Sequence, residues 1–281
     1  MKKILVTTDF SNASRAGLRF AIQLATQTDV ELIFFHCFQA MVPTTIHREN
    51  IDRAIREQTA EHLTKLEHFI TTIHHSMRVQ PGTNQLVVVE HLDPETAILD
   101  YAHQHDCQFI CMSTRGAGTI QKIIGTHTGW VIQRSSIPVL VVPHNYRVRP
   151  LAKILYSSDL ENFEAEMTIV AAFAEMLDLK TDLAHFYHPG EISLDKETLS
   201  QLWRTKYPAL DRIYFNQYDV DKHFPVQLDG LVKKVKPSLV VLFTHTRKTW
   251  FDKLFGNSVA ESVSFVTEVP MLVYRKPKVS G

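Results

Sequence analysis

Short runs of apolar residues recur along the chain, separated by longer stretches in which apolar residues repeat at helical spacing. The densest example is the stretch 107–143, CQFICMSTRGAGTIQKIIGTHTGWVIQRSSIPVLVVP. Its two runs, Phe109-Ile110-Cys111-Met112 and Pro138-Val139-Leu140-Val141-Val142, are too short for helices and predict buried strands, with a helix over about 126–134 between them. Residues 3–8, 31–37 and 86–89 predict three further strands. Between them, Ala13, Gly17, Phe20, Ala21, Leu24 and Ala25 mark one helix, capped by Ser11 or Asn12. Ile51, Ile55, Leu63, Leu66, Ile70, Ile73 and Met77 mark a long helix over 48–77. Asp93-Pro94-Glu95 predicts a third helix start, with Asp as cap and Pro at the first helical position. Strands that are apolar throughout, alternating with helices, predict a parallel sheet covered on both faces.

The pattern then repeats. Ile4-Leu5-Val6-Thr7-Thr8-Asp9-Phe10-Ser11-Asn12 has a counterpart in Ile154-Leu155-Tyr156-Ser157-Ser158-Asp159-Leu160-Glu161-Asn162. Ile137-Pro138-Val139-Leu140-Val141-Val142 is matched by Val269-Pro270-Met271-Leu272-Val273-Tyr274, and Gly125-Thr126 more poorly by Gly256-Asn257-Ser258. A period this long predicts a duplicated domain rather than a solenoid. The expected domains are 1–145 and 151–277, joined by a short basic linker that contains Pro150. The second is more compact, because its middle crossover (about 191–206) is shorter than the helix over 48–77.

Gly116, Gly118 and Gly125-Thr126 follow the strand at 109–112. A loop leaving a parallel strand can turn backbone N–H groups toward an anion where no Cβ intervenes, and a helix start adds its dipole. The same glycines serve equally well for tight turns. The loop is neither a Walker sequence nor a dinucleotide fingerprint, since Gln121 stands where the third glycine would be. Lys plus Arg and Asp plus Glu are 30 each, so no global charge draws the chain to nucleic acid or a membrane surface. No apolar run reaches the ~18 residues of a spanning helix. Cys37, Cys107 and Cys111 lie in apolar contexts as reduced packing thiols, and a cytoplasmic protein is expected.

On these residues the chain resembles a tandem universal stress protein. The matching pieces are the strand-end Asp9 and Asp159, the segment 112–115, the glycine loop with Gly125-Thr126, and the terminal Pro-Val-Leu-Val-Val. The resemblance implies a Rossmann-like α/β fold: two tandem doubly wound open sheets of five mainly parallel strands, each ordered 3-2-1-4-5. It also implies an intramolecular pseudo-dimer in which the segments 138–142 and 270–274 cover each other, with a homodimer as a further option. Members bind ATP or a related adenine nucleotide through Gly-x2-Gly-x9-Gly-Ser/Thr. Carried over, the adenosine would meet Thr8, Asp9, Cys37 and Met112, and the phosphates Ser113, Gly116, Gly125, Thr126 and His127, with a cation such as Mg near Asp9.

The sequence departs from that pattern twice. Ser113 replaces the first glycine, and eight residues rather than nine lie between Gly116 and Gly125. The second half has no glycine between Thr244 and Phe255, so its loop is expected to be degenerate for nucleotide. Each candidate has a plainer role: Asp9 as a helix cap or turn carboxylate, Arg115 and Lys122 as solvated loop residues, His74 and His75 as surface residues. His127 has no second metal ligand at a suitable spacing. Trp250, Phe251, Leu254 and Phe255 are either packing or a partner surface, and His245, Arg247 and Lys248 either a solvated loop or an anion site. No Cys-x-x-Cys, His-Glu-x-x-His or Gly-x-Ser-x-Gly sequence is present, so no catalytic group is assigned and only weak nucleotide hydrolysis stays open. Two functions result: a stress-response protein binding a nucleotide in its first domain with a structural second domain, or a nucleotide-independent interaction protein with an unknown protein partner.

Overall fold

Strands and helices alternate through the first part of the described structure, a computed structural model: β1 (Lys2–Thr7), α1 (Ser14–Ala25), β2 (Val30–Phe38), α2 (Arg48–Met77), β3 (Asn84–Glu90), α3 (Pro94–Gln104), β4 (Phe109–Ser113), α4 (Thr126–Arg134) and β5 (Val139–Val142), which is followed by a second strand, β6 (Lys153–Ser158), and α5 (Phe163–Met176). They continue as β7 (Lys180–Tyr187), α6 (Lys196–Lys206), β8 (Leu210–Gln217), α7 (Phe224–Val235), β9 (Leu239–Thr244) and β10 (Met271–Arg275). The structure describes residues 1–41, 48–114, 126–188, 195–244 and 268–277. Gly116, Gly118, Gly125 and the stretches around His245 and Trp250 lie outside them.

Two units meet in sequence between Val148 and Arg149. In the first, β1 pairs in parallel with β2 and β4, β2 with β3, and β4 with β5, giving the order β3-β2-β1-β4-β5. In the second, β6 pairs in parallel with β7 and β9, β7 with β8, and β9 with β10, giving β8-β7-β6-β9-β10. Each is thus a five-stranded α/β sheet of Rossmann-like topology. The reversal of strand order falls between β1 and β4, and again between β6 and β9.

The central strands are apolar on both faces because helices cover both. Ile4, Leu5, Val6, Ile110, Leu140 and Val141 are wholly buried, as are Leu155, Val240 and Leu242 in the second unit. α3 starts as its sequence predicts: Asp93 accepts the N–H groups of Glu95 and Thr96, with Pro94 in the first turn. α1 starts one residue later than expected, with Ala13 at the cap and no side-chain cap bond to it. Ser11 still satisfies one end group, accepting the Ser14 N–H at 3.1 Å.

The long helix α2 departs from its expected stripe. Leu66, Phe69, Ile70 and Ile73 are buried, but Leu63 is 41% exposed, so only the C-terminal half packs fully on the sheet. That half also carries His74 inward. The ring is 5% exposed rather than on the surface, packs edge-on to Phe34, and places Nδ1 3.3 Å from the Val79 carbonyl oxygen. His75, one residue on, faces solvent.

Candidate functional site

A cleft of about 240 Å³ opens at the carboxyl ends of β1, β2 and β4. β1 and the turn after it supply Thr7, Thr8, Asp9 and Ser11; β2 supplies Phe35 and Cys37; β4 supplies Met112 and Ser113. α3 adds Pro94 and Ile98, and α4 adds His127 and Thr128. The cleft therefore lies at the reversal of strand order, where open α/β sheets place their ligands because the flanking loops diverge there. Thr8, Asp9, Cys37, Met112, Ser113 and His127 come together in it. Thr126 opens α4, while Gly116 and Gly125 fall outside the described residues. Pro94, Ile98 and Thr128 were legible only as helix positions, since helical spacing says nothing about which end of a sheet a helix start meets.

The β1–α1 turn is held by its own polar groups. Phe10 adopts a left-handed backbone, φ 62°, unusual for an aromatic residue. Thr8 Oγ1 accepts the Phe10 N–H at 3.1 Å and lies 2.9 Å from Ser14 Oγ, whose own hydroxyl donates to the Ser11 carbonyl. Asp9 Oδ1 accepts the Ser11 N–H at 3.0 Å. Burial pushes the Asp9 carboxyl up, but the hydrogen bonds from Ser11 and Ser14 outweigh it and hold the group below its ordinary value. Asp9 is thus a turn carboxylate that also faces the cleft.

Behind the turn stands a histidine pair. His36 Nδ1 is 2.9 Å from the Thr8 carbonyl oxygen and must donate to it, leaving Nε2 to accept from His62 Nδ1 at 3.0 Å. Phe10 and Phe38 pack on the two rings. Burial lowers both histidines from their ordinary 6.5 and lowers His74 as well. Depressed folded values mean that the unfolded chain takes up these protons first. The stabilisation is complete above about 6.5 and is lost as pH falls through the folded values. Thermal unfolding between pH 8 and pH 5 is expected to show stability falling below about 6.5, with a shallower slope in His36→Asn; a flat profile would contradict this.

Ser113 explains itself through Gly17. Its hydroxyl oxygen accepts the Gly17 N–H at 2.7 Å and donates to the Ser14 carbonyl at 3.2 Å, tying the end of β4 to the first turn of α1. A Cβ on Gly17 would lie 2.7 Å from Ser113 Oγ and 3.3 Å from the Ser113 backbone nitrogen, so only glycine permits the approach. The hydroxyls of Thr8 and Ser113 are therefore engaged within the fold.

His127 has a partner that the sequence did not reveal. Its Nδ1 lies 2.5 Å from Glu95 Oε1, the carboxylate being 13% and the ring 48% exposed. The two residues are 32 positions apart, on α3 and α4, so no local spacing pointed to the pair. Thr128 Oγ1, 3.4 Å from the Ser113 carbonyl oxygen, ties the start of α4 to β4. The thiols suit packing: burial pushes Cys37 and Cys107 up to about 11, and Cys111 higher still.

The sequence model of the universal stress protein family matches residues 1–143. The chain belongs to that family. A universal stress protein from Archaeoglobus fulgidus matches with 15% identity and a TM-score of 0.69, over 98% of this chain and 96% of its own. A universal stress protein assigned as putative in Pseudomonas aeruginosa matches at 16% and 0.61, over 98% and 93%. At these identities the likeness bears on the fold alone. A universal stress protein solved in complex with cAMP matches 50% of this chain and 96% of its own at 17% identity, with a TM-score of 0.37, too low to carry an argument. No curated protein matches the chain. Among the described residues of this family member, no helix is long and apolar enough to cross a membrane.

The second unit of this universal stress protein repeats the turn. Leu160 is left-handed at φ 68°, Ser158 Oγ accepts its N–H at 3.0 Å, Asp159 accepts the Glu161 N–H at 3.1 Å, and His185 Nδ1 is 3.0 Å from the Ser158 carbonyl oxygen. Around the turn, however, larger groups stand at the matching positions: Tyr156 for Val6, Glu166 for Ala16, Met167 for Gly17, Phe243 for Ser113. Lys276 matches His144, and its buried ammonium lies 2.5 Å from Asp159, 3.2 Å from Glu161 and 3.7 Å from Glu166. Tyr156 donates to Glu166 at 2.5 Å. Protein charges and rings thus occupy the surroundings of Asp159.

Proposed function

We propose that this universal stress protein binds an adenine nucleotide, ATP or a related one, in the cleft of its first unit, while the second unit serves as a structural or regulatory partner. The supporting observation is the cleft at the reversal of strand order, whose lining combines apolar Phe35, Ile98 and Met112 with polar Asp9, Ser11 and His127. Its volume of about 240 Å³ lies just below the range of sites that hold a whole drug-sized ligand, about 300–1,000 Å³. That suits the nucleoside portion, with the phosphates directed toward Gly116, Gly125 and Thr126. Mg would be held by Asp9 together with the phosphates, since this ion commonly takes one or two carboxylates and keeps its remaining ligands from substrate and water.

Calorimetry of the full chain with ATP tests the reading. Saturable binding is expected for wild type, and at least tenfold weaker binding for Gly125→Val, because a branched Cβ would stand between backbone N–H groups and phosphate. No heat up to millimolar ATP ends this proposal.

A second reading draws on the engagement of Thr8 and Ser113 within the fold. A nucleotide-independent interaction protein needs no free hydroxyls in this cleft. It predicts that Gly125→Val retains every protein partner captured by wild type, whereas nucleotide-dependent signalling predicts their loss.

A further inference from the structure

We propose that the first half of α2 is a strap released by acid: the bond between His36 and His62 holds it to the sheet, and it lets go once both rings carry a proton.

The strap has few other fastenings. Of residues 50–65 none is buried, and the apolar packing of α2 on the sheet begins at Leu66. Gln58 exchanges two hydrogen bonds with the backbone of Met41, at 3.0 and 3.1 Å. Met41 is 87% exposed, so this fastening sits at the surface. Lys65 places its ammonium 4.4 Å from the centre of the Phe10 ring. His62 reaches the sheet itself. Its ring stacks on Phe38 with centres 4.4 Å apart and lies 5.0 Å from that of His36.

One hydrogen joins the two rings, and the bond survives only one charge. His36 Nδ1 donates to the Thr8 carbonyl whether the ring is neutral or cationic, so its lone pair is on Nε2. That lone pair accepts the hydrogen of His62 Nδ1. A first proton goes to the other nitrogen of His62 and leaves the bond in place. A second must go to His36 Nε2, where two N–H groups then face each other across 3.0 Å between stacked cations. Once apart, the rings take up protons near the ordinary value of about 6.5. Burial lowers both rings while they are attached, so acid favours the released strap. The neighbouring charges act unevenly. Lys65 opposes a charge on either ring, Asp9 favours one on His36, and Glu61 favours one on His62. Arg15 of α1 lies over Phe69, and Glu90 of β3 accepts the Ala40 N–H. The turn against which the pair packs, with Phe10 4.2 Å from His36, is the one that gives Thr8, Asp9 and Ser11 to the cleft.

Hydrogen exchange of the full chain, expressed as protection factors, tests this alongside nitrogen NMR of His36 and His62 from about pH 8 to about pH 4. As His36 gains its proton, protection of residues 50–62 should fall about tenfold or more, while that of 66–77, β1 and β4 changes by less than about threefold. The amide of His62→Asn can donate to a neutral His36 and accept from a charged one. Strap protection in that variant should be independent of pH within about twofold. Undiminished protection of 50–62 with both rings charged overturns the proposal, as does the same acid loss in His62→Asn. So does a strap already unprotected at the alkaline end. An equal loss throughout the unit, or a His36 that stays neutral until the unit unfolds, overturns it too, because both describe ordinary acid unfolding. The wild-type profile decides even if the variant fails to fold.

Discussion

Lys276→Met is expected to destabilise the second unit by about 3–5 kcal/mol, the usual cost of removing one partner from a buried ion cluster. The ammonium lies within 4 Å of three carboxylates, and Glu166, the deepest, is 1% exposed. Without the lysine, the buried carboxylate of Glu166 loses a cation 3.7 Å away and the partly exposed Asp159 loses one at 2.5 Å. The effect belongs to charge rather than volume, because methionine fills most of the lysine stem. Lys276→Met combined with Glu166→Met should therefore recover most of the loss, as apolar replacement of a whole buried pair often does. Denaturant unfolding followed by the fluorescence of Trp203, which packs on Phe163 in the same unit, reports the change. A loss under about 1 kcal/mol would show that the cluster behaves as an ordinary surface pair.

Gly17→Ala should also destabilise, although helix propensity alone predicts the opposite. Alanine for glycine inside a helix normally stabilises by about 1 kcal/mol. Here the added methyl meets Ser113 Oγ at 2.7 Å and the Ser113 backbone at 3.3 Å, so it must displace the serine or the strand. The hydroxyl that leaves loses its bonds to the Gly17 N–H and the Ser14 carbonyl. Overpacking of this kind costs about 1–3 kcal/mol. The second site decides the cause. In a Ser113→Gly background the 2.7 Å clash is gone and only the 3.3 Å approach to the backbone remains, so Gly17→Ala should cost clearly less or become neutral; the same penalty in both backgrounds would place the cause elsewhere.

The strands could be read from the sequence because the middle of β1, most of β4 and the whole of β5 are apolar runs, which two-sided burial explains. Their order could not. Periodicity does not say that β1 lies between β2 and β4; that came from the resemblance, and the sheet pairing then shows it in both units. Asp93 announced itself as a cap because the signal is local. His74 did not announce its burial, since a polar residue beside His75 on a long helix reads as surface, and only the packing of the C-terminal half on the sheet turns it inward. Glu95 escaped notice for the converse reason. In sequence it is a first-turn acid of a capped helix, and its pairing with His127 exists only once α3 and α4 are brought side by side. Ser113 was legible as a departure from the family's glycine, but its reason, the approach of α1 at Gly17, is tertiary.

The matched turns at Phe10 and Leu160 carry a lesson for relatives of this chain. An aspartate closing the first strand is retained here by a copy that has turned the space beside it over to its own lysine, so that aspartate records ancestry and local geometry rather than a capacity to hold a guest. Vacancy is better judged from the residues opposite. Small side chains at 6, 16 and 17 leave room in one half, and tyrosine, glutamate and methionine at 156, 166 and 167 take it up in the other.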